Sequence, residues 1–181
     1  MDKTKRKENT KISASTLSVS VFKIEYNAFP EVKHSKTPLG NIVGFGLNSY
    51  HGKVKNYNED KIRVVAQHIS QSKINPNTKY NVSYFGIFDG DGGNNFCEFL
   101  KLNYFDYLTN STHFRDNPII TKHQAFKKSE ENFFKKALDP KSKKLADKCG
   151  SYALIMLIID NLLFYINLGD NRALYSYDSG K

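Results

Sequence analysis

Hydrophobic and polar positions change period several times along the chain, and each change marks an element. Residues 17–26 alternate in part and predict a first strand, with loop chemistry after it around Pro30 and Pro38. Residues 41–50 read as a strand running into a turn at His51-Gly52-Lys53, and residues 61–67 as another strand. A loop rich in Ser, Asn and Pro over 70–77 leads into an apolar run that ends at Asp89. From Asn94 the period lengthens, and Phe96, Leu100, Tyr104, Tyr107 and Leu108 fit one face of a helix over 94–108. A second helix is expected over 121–138, with Phe126, Phe133, Phe134, Ala137 and Leu138 inward and lysines outward. Residues 151–159 and 162–168 are apolar runs joined only by Asp160-Asn161, which predicts an antiparallel hairpin. The turn Gly169-Asp170-Asn171-Arg172 then precedes an expected strand over 173–177.

Composition narrows the class. With 181 residues, 39% hydrophobic and 13% aromatic, the chain can bury one core, and wholesale disorder is excluded. Residues 1–16 read as a basic, polar tail expected to lack fixed structure, and 17–181 as one domain. The longest apolar stretch, 152–168, is broken by Asp160 and Asn161 and falls short of the ~20 residues of a membrane span. No apolar segment follows the basic start, so it is not a secretory signal. Cys97 and Cys149 read as reduced thiols of an intracellular protein, cytoplasmic or nuclear.

The net charge of +9 raises the question of nucleic acid. Its distribution argues against it. Lysines gather in the tail and over 127–148, where eight of them share the space with four acids, as on a solvated helix face and loop. The five histidines (34, 51, 68, 113 and 123) show no metal-ligand spacing.

The densest chemistry is at Tyr84-Phe85-Gly86-Ile87-Phe88-Asp89-Gly90-Asp91-Gly92-Gly93. An apolar strand that delivers two carboxylates to a glycine turn presents oxygen ligands to a hard cation such as Mg²⁺ or Mn²⁺. Glycine permits positive φ and close backbone approach, so a carbonyl can join as a ligand. A plain acidic turn between strand and helix would read the same way locally.

Three further signals stand in order around it: Asn58-Glu59-Asp60, Cys149-Gly150-Ser151-Tyr152-Ala153 and Gly169-Asp170-Asn171-Arg172-Ala173. Together the four resemble the amino-terminal part of the metal-dependent PPM-type protein phosphatases, the protein phosphatase 2C family. The familiar forms there are an Arg followed by a Glu-Asp pair, Asp-Gly-His-Gly-Gly, Ser-Gly-Ser-Thr-Ala and Gly-Asp-Ser-Arg-Ala. The resemblance covers about residues 41–177.

It implies an α+β fold, an α/β/β/α sandwich of two antiparallel sheets flanked by helices, here incomplete on its C-terminal side. It also implies a Mg²⁺- or Mn²⁺-dependent protein serine/threonine phosphatase in which metal-activated water attacks phosphorus. Carried over, Asp89 would bridge two cations, the Gly90 carbonyl would bind one, and Glu59 and Asp60 would hold metal-bound waters. Asp170 would join a weaker third site, or serve only as a turn-forming Asx residue. Arg172 reads as an ion-pair partner, and Cys149 as a small buried hydrophobe rather than a nucleophile.

The departures carry as much information. Asp91 stands where the family has histidine, and a carboxylate of ordinary acidity is a poor proton donor at neutral pH. Lys55 stands at the phosphate-binding arginine position, replacing a bidentate fork with a point charge. Cys149 and Tyr152 replace small hydroxyl residues, and the bulk of Tyr152 must be accommodated. The family's later aspartates lie beyond Lys181, so residues 1–181 alone are expected to be inactive and to expose an apolar edge near Leu174, Tyr175 and Tyr177.

Rival patterns fail on particular residues. An EF-hand loop from Asp89 would need an acid or Asn, then Gly, at positions that hold Gly93 and Asn94, and Glu where Leu100 stands. A haloacid-dehalogenase-type reading, with Asp89 as nucleophile, needs alternating parallel βα units, whereas residues 151–177 read as consecutive antiparallel strands. Two classes therefore remain. One is a metal-dependent phosphatase acting on phosphoserine or phosphothreonine proteins. The other is a catalytically inactive pseudophosphatase that binds or scaffolds a protein partner.

Overall fold

The computed structural model of the chain describes residues 17–23, 56–71, 77–138 and 147–176, together with 42, 44, 45, 47, 49, 75 and 141. The tail over 1–16, most of the strand expected over 41–50, Lys55 and Tyr177 lie outside these residues.

The apolar run before Asp89 becomes the middle of the architecture as β3 (Lys79–Asp91). It pairs on one side with β2 (Lys61–Gln71) and on the other with β4 (Gly150–Ile159). With β5 (Leu162–Leu168) and β1 (Leu17–Lys23) the order is β1-β5-β4-β3-β2, a five-stranded antiparallel sheet. The expected hairpin forms at Asp160-Asn161, where Asp160 takes φ 52°, a conformation that Asp tolerates better than most residues.

Alternation along β3 sorts its side chains onto two faces. Tyr80, Val82, Tyr84 and Phe88 are sealed on one, with Ala153, Ile155, Leu157 and Ile159 of β4 beside them. That face carries α1 (Asn95–Thr109), which packs on β2, β3 and β4, and α2 (Pro118–Ala137), which packs on α1. Aromatic rings fill the join: Tyr84 with Phe105 at 5.1 Å, Phe88 with Tyr104 at 6.3 Å and Tyr104 with Phe126 at 4.4 Å between centroids. Each fully buried Phe side chain contributes about 1.5–3 kcal/mol, a gain that the buried hydroxyls of Tyr84 and Tyr104, without a hydrogen-bond partner among the described residues, partly offset. Gly86 leaves room for the Tyr84 ring, two atoms of which would lie 2.9 Å from a Cβ there. Arg63 of β2 ties α1 down from the side. Its Nη1 donates to the carbonyls of Lys101 and Leu102 at 2.9 Å, and its guanidinium lies over the Phe105 ring.

The second helix starts at Pro118, earlier than residue 121. Asn117 supplies the cap, its Oδ1 accepting from Ile120 N at 3.1 Å, and Pro118 costs nothing in the first turn. Its buried stripe is Thr121, Lys122, Ala125, Phe126, Ser129 and Phe133. Phe134 and Leu138, expected inward, are exposed at 39% and 42%, because each stands off that stripe. The strand expected over 173–177 does not form in the described part. Residues 171–176 carry no regular structure, and Asn171 O folds back to accept from Asn167 Nδ2 at 2.8 Å.

The described residues thus form one antiparallel sheet with one helical layer, an α+β architecture. The opposite sheet face presents Ile62, Val64, Phe85, Ile87, Leu154 and Met156, with Phe45 edge-on to Phe85 at 5.2 Å. Among the described residues no helix is long and apolar enough to cross a membrane.

Candidate metal and phosphate site

Strand β3 does not stop at Asp89. Its pairing with β4 continues through Gly90↔Ser151 and Asp91↔Gly150. Asp89 and Asp91 therefore share the sheet face away from the helices, half-buried and exposed respectively. The turn after Asp91 depends on glycine: Gly92 has φ 71° and Gly93 φ 138°, a region L side chains rarely adopt.

On the neighbouring strand the pairing with β3 ends at Lys61↔Phe88, so Glu59 and Asp60 lie just ahead of β2, beside the end of β3. The close approach at Gly90 agrees. A Cβ there would stand 2.8 Å from both Cβ and O of Glu59 and 2.9 Å from the Gly93 carbonyl oxygen. The Glu-Asp pair is thereby divided. Asp60 is half-buried just ahead of β2, while Glu59 leans onto Gly90 and accepts from the Tyr57 hydroxyl at Oε1, 3.2 Å. The Asn58 side chain shapes this entry, its Oδ1 accepting from Asp60 N at 2.9 Å.

Beneath the glycine turn lies a network invisible in the linear pattern. Cys149 is buried, and its Sγ accepts from Phe96 N at the start of α1, 3.2 Å. Its backbone N donates to Asp147 Oδ1 at 2.9 Å, and Asp147 Oδ2 accepts from Asn95 Nδ2 at 2.6 Å. The Cys149 side chain and backbone, then Asn95, hold the Asp147 carboxyl below the usual range. Burial first, then Asp147, pushes the Cys149 thiol up, and burial raises Cys97 as well. Neither thiol has the heightened acidity of a nucleophilic cysteine. Cys149 also packs against the turn, with its Cβ 3.3 Å from where a Cβ on Gly93 would lie.

Tyr152 stands opposite Asp89 on β4. Its bulk is taken up by Gly169, where a Cβ would run into the Tyr152 side chain, 2.8 Å from its Cβ and 2.6 Å from Cγ. Asp170 and Arg172 are exposed, and no ion pair of Arg172 occurs among the described residues.

Residues 50–180 match the sequence profile of the family Protein phosphatase 2C. The chain belongs to the protein phosphatase 2C family. Among relatives of this family, it is 33% identical over 171 residues to the mouse (Mus musculus) integrin-linked kinase-associated serine/threonine phosphatase 2C, and 32% identical to its human counterpart. Each alignment covers 87% of this chain and 42% of the relative. A rice (Oryza sativa subsp. japonica) relative, probable protein phosphatase 2C 52, is 32% identical over 135 residues, 75% of this chain and 25% of its own. The chain thus spans well under half the length of these relatives.

The family depends on Mg²⁺ or Mn²⁺, and the donor set can be tested against that need. Asp60, Asp89, Gly90 and Asp91 offer only oxygen, as a hard cation requires. Among the described residues, however, no three of His, Cys, Asp or Glu converge as a metal site would. The donor chemistry fits, and the donor number does not.

Proposed function

We propose that the chain is the amino-terminal portion of a Mg²⁺/Mn²⁺-dependent protein serine/threonine phosphatase acting on phosphoserine or phosphothreonine in proteins. The observation that carries this reading is the close approach of Glu59, next to Asp60, to Gly90, next to Asp89, which leaves no room for a side chain at Gly90. In that arrangement Asp89 would be the principal metal contact, the Gly90 carbonyl a second donor, and Asp60 and Glu59 would anchor metal-bound water. A metal ion, when bound, would supply charge for a phosphoryl oxygen and for an attacking water. Among the described residues the donors are too few to hold such an ion unaided. Lys55 takes the place of the phosphate-binding arginine as a point charge, and Asp91 that of the proton donor. The intracellular setting, cytoplasmic or nuclear, belongs to the same proposal and rests on the two thiols.

A second reading, a catalytically silent module that binds a protein partner, draws on Asp91 and Lys55. The full-length protein separates the two when assayed on a phosphoserine peptide with Mn²⁺. Chelator-sensitive hydrolysis that Asp89→Asn abolishes supports the enzyme; no hydrolysis by folded protein supports the silent module. Within the enzyme reading, Asp91→His raises turnover roughly tenfold, the low side of a general-acid contribution. A flat or reduced rate would show that Asp91 already serves, or that the position does not matter.

A further inference from the structure

We propose that the seam between α1 and α2 carries a docking edge for an acidic, extended segment of a partner protein, with Lys128, Lys136 and the Tyr107 hydroxyl meeting its carboxylates. Neither a metal ion nor phosphate hydrolysis enters into it.

Lys128, Asn132, Lys135 and Lys136 follow one another at helical spacing along one edge of α2. Lys128 Nζ lies 4.8 Å from the centre of the Tyr107 ring of α1, and Lys136 Nζ 5.4 Å from the centre of Phe99. Between them Asn132 Nδ2 donates to the Tyr107 hydroxyl at 3.0 Å. Both lysines are nevertheless exposed, so each ammonium keeps a side open to solvent. The Tyr107 oxygen is taken as an acceptor, which leaves its hydrogen to donate, and among the described residues it donates to none.

The charge on this edge is not spent inside the fold. Glu130 and Glu131 stand within helical reach of Lys127, Lys128 and Lys135, yet among the described residues none of these lysines, nor Lys136, forms an ion pair. The acids of the facing helix are engaged elsewhere, Glu98 with Lys101 at 3.0 Å and Asp106 with Arg63 at 3.6 Å. The rings already hold Lys128 and Lys136 in place, so less side-chain freedom is lost when a carboxylate arrives.

Spacing and surroundings select the occupant. Lys128 and Lys136 are eight residues apart in sequence, roughly 12 Å along a helix. An extended chain covers that span in about four residues, and side chains four apart point the same way. Acids at such a spacing would therefore reach both lysines. Phe134 and Leu138 are exposed at the same end of α2. Apolar side chains give a peptide surface to cover and do nothing for a phosphate backbone, which favours protein over nucleic acid.

The test is fluorescence anisotropy of a short labelled peptide, glutamate alternating with valine and threonine, titrated with the full-length protein at ~0.1 M salt. Saturable binding is expected. Lys128→Glu should weaken it at least about fivefold, because a like charge then faces the peptide. Lys127→Glu makes the same change in net charge one residue away, off the edge, and should stay within about twofold. Tyr107→Phe keeps the ring beneath Lys128 and removes the donor, for a loss of about two- to threefold. Absence of saturable binding would overturn the proposal. So would equal weakening by Lys127→Glu and Lys128→Glu, which would mean diffuse charge rather than an edge. A single-stranded oligonucleotide of matched charge that binds more tightly than the peptide would overturn it in favour of nucleic acid. Unchanged binding in Tyr107→Phe would overturn the part given to the hydroxyl. If circular dichroism shows Lys128→Glu misfolded, Lys128→Gln decides in its place, with a loss of at least about twofold expected.

Discussion

The two ends of the sheet are built on opposite terms. At the β4–β5 hairpin Asp160 is tied into the fold through both its backbone and its side chain. Asp160 N donates to Asn81 O at 2.8 Å, and Asp160 Oδ1 accepts from Asn81 N at 3.0 Å. Arg115 pairs with Asp160 Oδ2 at 3.7 Å while its guanidinium lies over Tyr80, 4.9 Å from the ring centre. At the other end Asp91 and Asp170 are exposed, and Gly92, Gly93 and Gly169 hold positive φ. Two buried amide atoms there, Asn167 Oδ1 and Asn171 Nδ2, have no hydrogen-bond partner among the described residues. The lesson is a division of labour. One end closes the sheet, and the other keeps acids and backbone available.

The comparison breaks most sharply at Gly90. Gly90→Ala forces a Cβ to within 2.8 Å of the Glu59 backbone oxygen, and no flexible side chain can yield there. It should cost about 1–3 kcal/mol in urea unfolding and also weaken Mn²⁺ binding, since the carbonyl and the Glu59-Asp60 entry move together. Stability and binding that both stay unaltered would mean that the two strands do not cross so closely.

Asp160→Ala is the matching cut at the closed end. It removes a hydrogen bond and an ion pair and puts alanine at φ 52°, for a loss of about 1–2 kcal/mol. Metal affinity should not change. A shift in Mn²⁺ binding would show that the two ends are coupled, against the division drawn here.

Lys122 gives a smaller, pH-dependent effect in the helical layer. The residue is buried in the α2 stripe, and burial pushes its amine down to about 8. With the folded value below the unfolded one, the unfolded chain binds more protons between about 8 and 10.5, so stability rises with pH across that window. Lys122→Met should raise the melting temperature at pH 7, and the gain should shrink as pH climbs from 8 toward 10.5. A gain independent of pH would mean that packing, not the buried charge, is what the substitution changes.

Much of this was legible from residue order because it is local. The hairpin announced itself as two apolar runs with two polar residues between them, and β3 as an apolar run ending in acids. The start of α2 is not legible from periodicity, because Asn117-Pro118 cap and begin the helix ahead of its apolar stripe. Phe134 and Leu138 were assigned inward since nothing in a linear pattern says that Lys122 is buried instead. The strand over 173–177 looked sound by propensity, but a strand needs a partner, and Asn167 and the backbone of Asn171 hold the chain in a turn. At the site, the four motifs and their order were visible. The seat of Tyr152 on Gly169 was not, because it depends on register between strands that meet only in the folded sheet. The Asp147–Asn95–Cys149 tie escaped for the same reason.

The central claim is that Asp89 is the principal contact for a divalent cation, and calorimetric titration of Mn²⁺ into chelator-stripped full-length protein tests it most directly. Asp89→Asn removes a full charge from the ion's nearest ligand while keeping shape, so binding should weaken at least about tenfold, with melting in the absence of metal little altered. An Asp89→Asn titration that overlays that of the unaltered protein would contradict the account.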